Sequence, residues 1–226
     1  MECWWDKVSE IIMQGNFEKF CRLVKRKKNI VQSKNKDDNT LLHLVAYYVE
    51  GRLDDFAYDY IPFVKYLLEK GADINAQNKE EKTPLDLSTR FGCSRETIFL
   101  LKHGAKSGNM STKQLSDLLL GVSNFKSPED YQEGHNYDLH KEVKLICGVI
   151  DAYNKCKLAN PEEFSSFSIN GRIQKDIQEY TNDLSYICSK DKDSSLRETV
   201  KEYFDPNSNL VGMIPQDNNV FGITED

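Results

Sequence analysis

The chain is poor in structure breakers, with 12 glycines and 6 prolines among 226 residues. That scarcity excludes collagen-like and Pro/Gly-rich disordered architectures. No apolar run approaches the about 18 residues that a membrane-spanning helix needs, and the start, MECWWDKVSE, has no basic region leading into an apolar stretch. Neither a membrane span nor a classical secretory leader is expected. The six cysteines, Cys3, Cys21, Cys93, Cys147, Cys156 and Cys188, form no C-x-x-C pair, and most fall inside apolar helical patterns. They are expected as reduced, buried small hydrophobes in a cytoplasmic setting. The chain also lacks a glycine-rich phosphate loop, G-x-S-x-G and H-E-x-x-H, so its sequence points to no cofactor, no metal and no catalytic constellation.

What is present is a soluble composition, 39% hydrophobic and 29% charged, long enough for two packed units. The net charge of −6 is unevenly placed: residues 1–106 carry 18 Lys+Arg against 16 Asp+Glu, leaving 12 against 20 for residues 107–226. The acidic half is a poor phosphate binder. One basic run, Arg22, Lys25, Arg26, Lys27, Lys28, Lys34 and Lys36, is uninterrupted by acid and reads first as a solvated helix face with its exit loop. Nucleic acid is therefore not an expected partner.

An internal repeat organises the first half. Thr83-Pro84-Leu85-Asp86-Leu87-Ser88 is followed by Phe91-Gly92, Ile98-Phe99-Leu100-Leu101 and Gly104-Ala105. An earlier copy reads Thr40-Leu41-Leu42-His43-Leu44-Val45-Ala46, then Val64 to Leu68 and Gly71-Ala72-Asp73-Ile74-Asn75-Ala76. The threonines cap an inner helix, Pro84 occupies a first-turn position whose N–H has no helical partner, and Gly71 and Gly104 suit the left-handed position that ends an outer helix. Each such unit leaves an apolar face that only a neighbour can cover. A weaker copy places an inner helix over Lys7–Gln14 and an outer one over Phe17–Lys25, with Phe17, Phe20, Leu23 and Val24 inward and Trp4 and Trp5 covering the open end.

These strings resemble the ankyrin repeat, with its T-P-L-H-x-A opening and its L-L-x-x-G-A close. The resemblance implies an all-α ankyrin-repeat solenoid of about three repeats over residues 1–106. Three departures stand out. The hairpin glycine two positions before each threonine is Asp38 in one copy and Glu81 in the other. His43 matches the family's histidine, whereas Asp86 replaces it in the next copy. The threonines stand 43 positions apart, against about 33 for an ordinary repeat, with the excess around Glu50–Tyr60. Residues 107–226 form a helical C-terminal region: helices over Ser111–Asn124 and Asp138–Leu158 repeat the helix, insertion, helix pattern of a degenerate fourth repeat. Asn160-Pro161 marks a break, two further helices follow, and an irregular tail starts at Asp205.

The resemblance implies a non-enzymatic interaction module or adaptor that binds a protein through its concave face. The exposed inner-helix positions would be Glu10, Met13 and Gln14, then Leu44, Tyr47 and Tyr48, then Leu87, Arg90 and Phe91, with Tyr47, Tyr48, Arg90 and Phe91 as anchors. The alternative is an effector of the kind intracellular bacteria deliver into the host-cell cytoplasm, with an enzymatic or toxin-like activity in residues 107–226. Its best nucleophile would pair Cys147 or Cys156 with His135 or His140, yet both thiols lie on or near an apolar stripe. His135 and His140 are five apart, the wrong spacing to share a metal on one helical face. Asp54, Asp55 and Asp59 lack the glycine and closing glutamate of a calcium loop. His43 is expected to bond backbone near its hairpin, and His103 to stabilise a helix end.

Overall fold

The computed structural model describes residues 4–27, 29–48, 59–90, 92–125, 138–164, 167–189 and 195–203. Among these residues every regular element is helical: α1 Trp4–Met13, α2 Phe17–Arg26, α3 Leu41–Tyr48, α4 Ile61–Glu69, α5 Pro84–Ser88, α6 Arg95–Lys102, α7 Thr112–Phe125, α8 Leu139–Ala159, α9 Pro161–Phe164, α10 Phe167–Ser189 and α11 Ser195–Lys201. The insertion around Glu50–Tyr60, save its last two residues, and the tail from Asp205 lie outside the described residues, as do Cys3, Lys28, Phe91 and His135.

The helices stack in two rows. In the inner row α1 packs on α3 and α3 on α5; in the outer row α4 packs on α6 and α6 on α8. Aromatic rings join the first two outer helices, with Phe63 of α4 lying 5.1 Å from Phe17 and 5.0 Å from Phe20 of α2. Trp4 and Trp5 belong to the first turn of α1 rather than preceding it, and both pack against the core. A single apolar cluster runs from Val8 to Tyr203, so the C-terminal helices share their core with the repeats. The outer row continues closely: a Cβ on Gly148 of α8 would lie 2.7 Å from Leu101 Cδ2 and 3.1 Å from the Ala105 carbonyl oxygen. Lys102 adds an ion pair to Glu142 at 3.3 Å.

The inner helices share one buried register. Val8, Ile11 and Ile12 on α1, Leu42, Val45 and Ala46 on α3, and Leu85, Ser88 and Thr89 at α5 are all buried at i, i+3 and i+4. Leu115, Leu118 and Leu119 on α7 are buried in the same pattern. This spacing is one face of a helix turned toward the outer row. The third inner helix is shorter than its sequence suggests, ending at Ser88, so that Arg90 stands on the turn after it. The cause is local. The Ser88 hydroxyl donates to the Leu85 carbonyl (2.9 Å) and the Thr89 hydroxyl to the Asp86 carbonyl (3.0 Å), competing with the helical ladder.

Candidate functional site

The candidate surface is the exposed side of the inner row, and the hairpin junctions beneath it fix how successive inner helices are aligned. At the first junction the Thr40 N–H donates to Nδ1 of His43 (3.2 Å), which makes Nδ1 an acceptor and puts the ring proton on Nε2. That Nε2–H donates to the Lys82 carbonyl of the next hairpin at 3.0 Å. Burial lowers the His43 pKa most, and Lys34 reinforces the shift. The imidazole is thus held neutral as a bridge between two repeats.

At the second junction Asp86 holds the same place with opposite polarity. Its fully buried carboxylate accepts from the Thr83 N–H (2.8 Å), the Ser107 hydroxyl (2.7 Å), and the N–H groups of Gly108 (2.8 Å) and Asn109 (3.1 Å). These charge-assisted bonds fasten the 107–109 turn to α5. Gly108 fits there because a Cβ would come within 2.1 Å of the Glu81 carbonyl oxygen. Lys155 of α8 completes the junction, donating to the Ser107 carbonyl at 2.6 Å and pairing with Asp151 at 3.1 Å.

On the surface itself the structure brings two of the sequence-identified anchors together across a repeat boundary. The Arg90 guanidinium carbon sits 4.8 Å from the centroid of the Tyr47 ring, and Tyr48 meets Tyr47 edge-on at 5.3 Å. Tyr47 is 40% exposed, while Tyr48 and Leu44 are half-buried against the core. Leu87 is half-buried, Met13 is 45% exposed, and Gln14 is exposed with its amide donating to Glu10 at 3.0 Å. Phe91 falls outside the described residues. Sequence reasoning missed Leu120 of α7, which is 46% exposed. Its signal is the position directly after a buried i, i+3, i+4 triplet, the place that Tyr47 and Arg90 hold in their own repeats.

Other candidate groups are accounted for by packing. Lys27 Nζ lies 4.7 Å above the Trp4 ring, Lys34 Nζ donates to the Gln77 carbonyl at 3.1 Å, and Arg22 pairs with Glu18 within α2. Three of the seven basic side chains thus have partners within the chain. His103 donates from Nδ1 to the Phe99 carbonyl (2.7 Å) and stacks on the Phe99 ring, closing α6. Cys21, Cys147 and Cys156 are thiols, with burial pushing Cys147 well up and Cys156 up to about 11. Such groups stay protonated at neutral pH and are weak nucleophiles. His140 contacts Thr199 at 3.1 Å. Asp59 accepts from the Ile61 N–H at 3.0 Å, capping the entry to α4. Among the described residues no cluster of three or more His, Cys, Asp or Glu could hold a metal, and no helix is long and apolar enough to cross a membrane.

Two stacked rows of short helices, joined by hairpins whose side chains bond forward to the next unit, define a helical repeat protein. Residues 56–101 match the family model for ankyrin repeats (many copies), which makes that segment ankyrin-repeat sequence. Alpha-latrocrustotoxin-Lt1a of Latrodectus tredecimguttatus is 37% identical over 76 residues, 34% of this chain and 5% of that protein. The match thus spans about a twentieth of the relative's length. Ankyrin repeats in general support protein–protein interaction, and the matched segment is of that repeat type.

Proposed function

We propose that the chain is a non-enzymatic adaptor, working in the cytoplasm, that binds a protein partner through the exposed face of its inner helices. The observation that carries this is the Arg90–Tyr47 contact, an arginine and a tyrosine from successive repeats stacked at 4.8 Å. Aromatic and arginine side chains concentrate affinity at interfaces, where they present large area and directional bonding. Here the pairing also orders both side chains before a partner arrives, and that lowers the cost of binding.

The test is a comparative pull-down with quantitative mass spectrometry, using the full chain, a Tyr47→Ala/Arg90→Ala variant and a variant with Lys25, Arg26 and Lys27 changed to serine. The same protein should be lost, at least about tenfold, from the first variant and retained by the second at moderate salt. Loss from the serine variant with retention by the double alanine variant would move the site to the basic edge and end this reading.

A further inference from the structure

Across the four inner helices the residue after each buried triplet is exposed: Met13 (45%), Tyr47 (40%), the exposed Arg90 and Leu120 (46%). Three of the chain's exposed large hydrophobic side chains thus occupy one equivalent position, on three separate helices. The fourth rung is properly aligned. Gln114 of α7 donates to the Asp86 carbonyl at 2.7 Å, and a Cβ on Gly121 would lie 2.0 Å from Cys93 Cβ, so α7 runs beside α5 and the turn that follows it. On α7 Leu115, Leu118 and Leu119 are buried, Gln114 and Gly121 meet α5 and the turn after it, and Leu120 is exposed at the position after the buried triplet, which Tyr47 and Arg90 hold in their repeats.

We infer that the binding surface continues past the matched repeats onto α7, and that its occupant is an amphipathic helix of the partner lying across all four inner helices. This rests on the protein-docking reading above and names the partner's chemistry. Neighbouring packed helices stand about 8–10 Å apart, so the backbones that carry the rungs recur at about that interval even where two side chains, Tyr47 and Arg90, lean together. Residues seven apart on a helix share a face and are separated by about 10.5 Å, which matches. An extended strand does not match, because residues three apart, about 10 Å, point to opposite faces. Charge sets the direction. An acidic side chain belongs opposite Arg90, the cation among apolar rungs. Basic side chains belong beyond Leu120, where Ser123, one turn on, borders a groove of about 390 Å³ lined by Asp176, Glu179 and Asp183 of α10, three carboxylates against the two cations Arg172 (4.0 Å from Asp176) and Lys175 (3.9 Å from Glu179).

The experiment pans a phage-displayed library of 24-residue helix-forming peptides on the full chain. A synthetic copy of an enriched peptide is then measured by fluorescence anisotropy. Enriched peptides should carry apolar residues at heptad spacing, an acid at one heptad position and Lys or Arg at one end. The synthetic peptide should bind Leu120→Glu at least tenfold more weakly than wild type, with unchanged affinity for Leu158→Glu, which places the same charge at an 82% exposed leucine at the end of α8. Circular dichroism checks folding, and Leu120→Ala replaces the glutamate variant if that unfolds. Equal binding to wild type and the Leu120 variant, with loss in Tyr47→Ala/Arg90→Ala, would end the extension onto α7 and leave the concave-face reading standing. Insensitivity to both variants, or no enrichment over a blank surface, would overturn both.

Discussion

The two hairpin junctions solve one problem with opposite chemistry. At the first, neutral His43 accepts from Thr40 and donates to the Lys82 carbonyl; at the second, Asp86 only accepts, and the following turn offers it a hydroxyl and two N–H groups. The residue at this position therefore specifies what the next segment must present. A histidine calls for another hairpin with its carbonyl turned inward. The carboxylate calls for a turn with its amides turned inward, and it marks the point where hairpin repeats give way to the α7–α8 pair.

The sharpest way to break that comparison is Asp86→His, which restores the family's residue. If the junction logic holds, the variant is less stable despite matching the family better. An imidazole at 86 can still accept from Thr83, but the Ser107 hydroxyl and the Gly108 and Asn109 N–H groups lose their acceptor. Of these, Ser107 is buried, Gly108 half-buried and Asn109 exposed. A buried unsatisfied donor costs about 1–3 kcal/mol, and donors that reach water cost less. A total of about 2–4 kcal/mol corresponds to a melting temperature lower by about 5–10 °C in a chain of this size. Calorimetry showing an unchanged Tm would mean that the 107–109 turn is held by something other than Asp86.

A smaller effect separates the junctions by pH. Burial depresses the His43 pKa in the folded state, so folding favours the neutral ring. The unfolded chain takes up its proton first, near the ordinary imidazole value of about 6.5. The contribution of His43 is therefore complete above that value and is lost as pH falls through it toward the lower folded pKa. Tm should decline between pH 7.5 and pH 5.5, and decline less in His43→Gln. An identical slope in both proteins would show that the bridge does not depend on a neutral imidazole.

The inner and outer helices over residues 1–106 were legible because capping, glycine and leucine signals agree there with apolar periodicity. The Tyr47–Arg90 neighbourhood was legible for the same reason: a repeat transfers position from one copy to the next. Periodicity also separates the leucines of α7: Leu115, Leu118, Leu119 and Val122 share one helical face and are buried, which leaves Leu120 outside. What it could not give is which elements flank that exposed position, because this depends on how α7 packs against its neighbours. The early end of α5 did have a signal, the adjacent Ser88 and Thr89 hydroxyls, but the family pattern overrode it. The exchange of His for Asp was visible, whereas its consequence required the positions of Ser107, Gly108 and Asn109.

The smallest expected effect compares the hairpins themselves, where non-glycine residues stand at the family's glycine position. Asp38 and Glu81 both adopt left-handed backbone, with φ of 61° and 59°. Each turn is supported by an asparagine: Asn35 Oδ1 accepts from the N–H groups of Asp37 and Asn39, and Asn78 Oδ1 from those of Glu80 and Lys82, all near 2.9–3.0 Å. That support holds the turn shape without relieving the contact between a Cβ and the carbonyl that disfavours positive φ. The conformation costs about 1–2 kcal/mol for an ordinary L-residue, and less for aspartate, whose short side chain tolerates it. Glycine removes the strain but adds about 0.5–1 kcal/mol of unfolded-state entropy. Glu81→Gly should therefore stabilise by about 0.5 kcal/mol, raising Tm by about 1–2 °C, while Asp38→Gly should change it by less than about 1 °C. A loss of stability in Glu81→Gly would show that the glutamate side chain, exposed at the hairpin tip, contributes more than its backbone strain costs, and the two hairpins would then differ in kind rather than in degree.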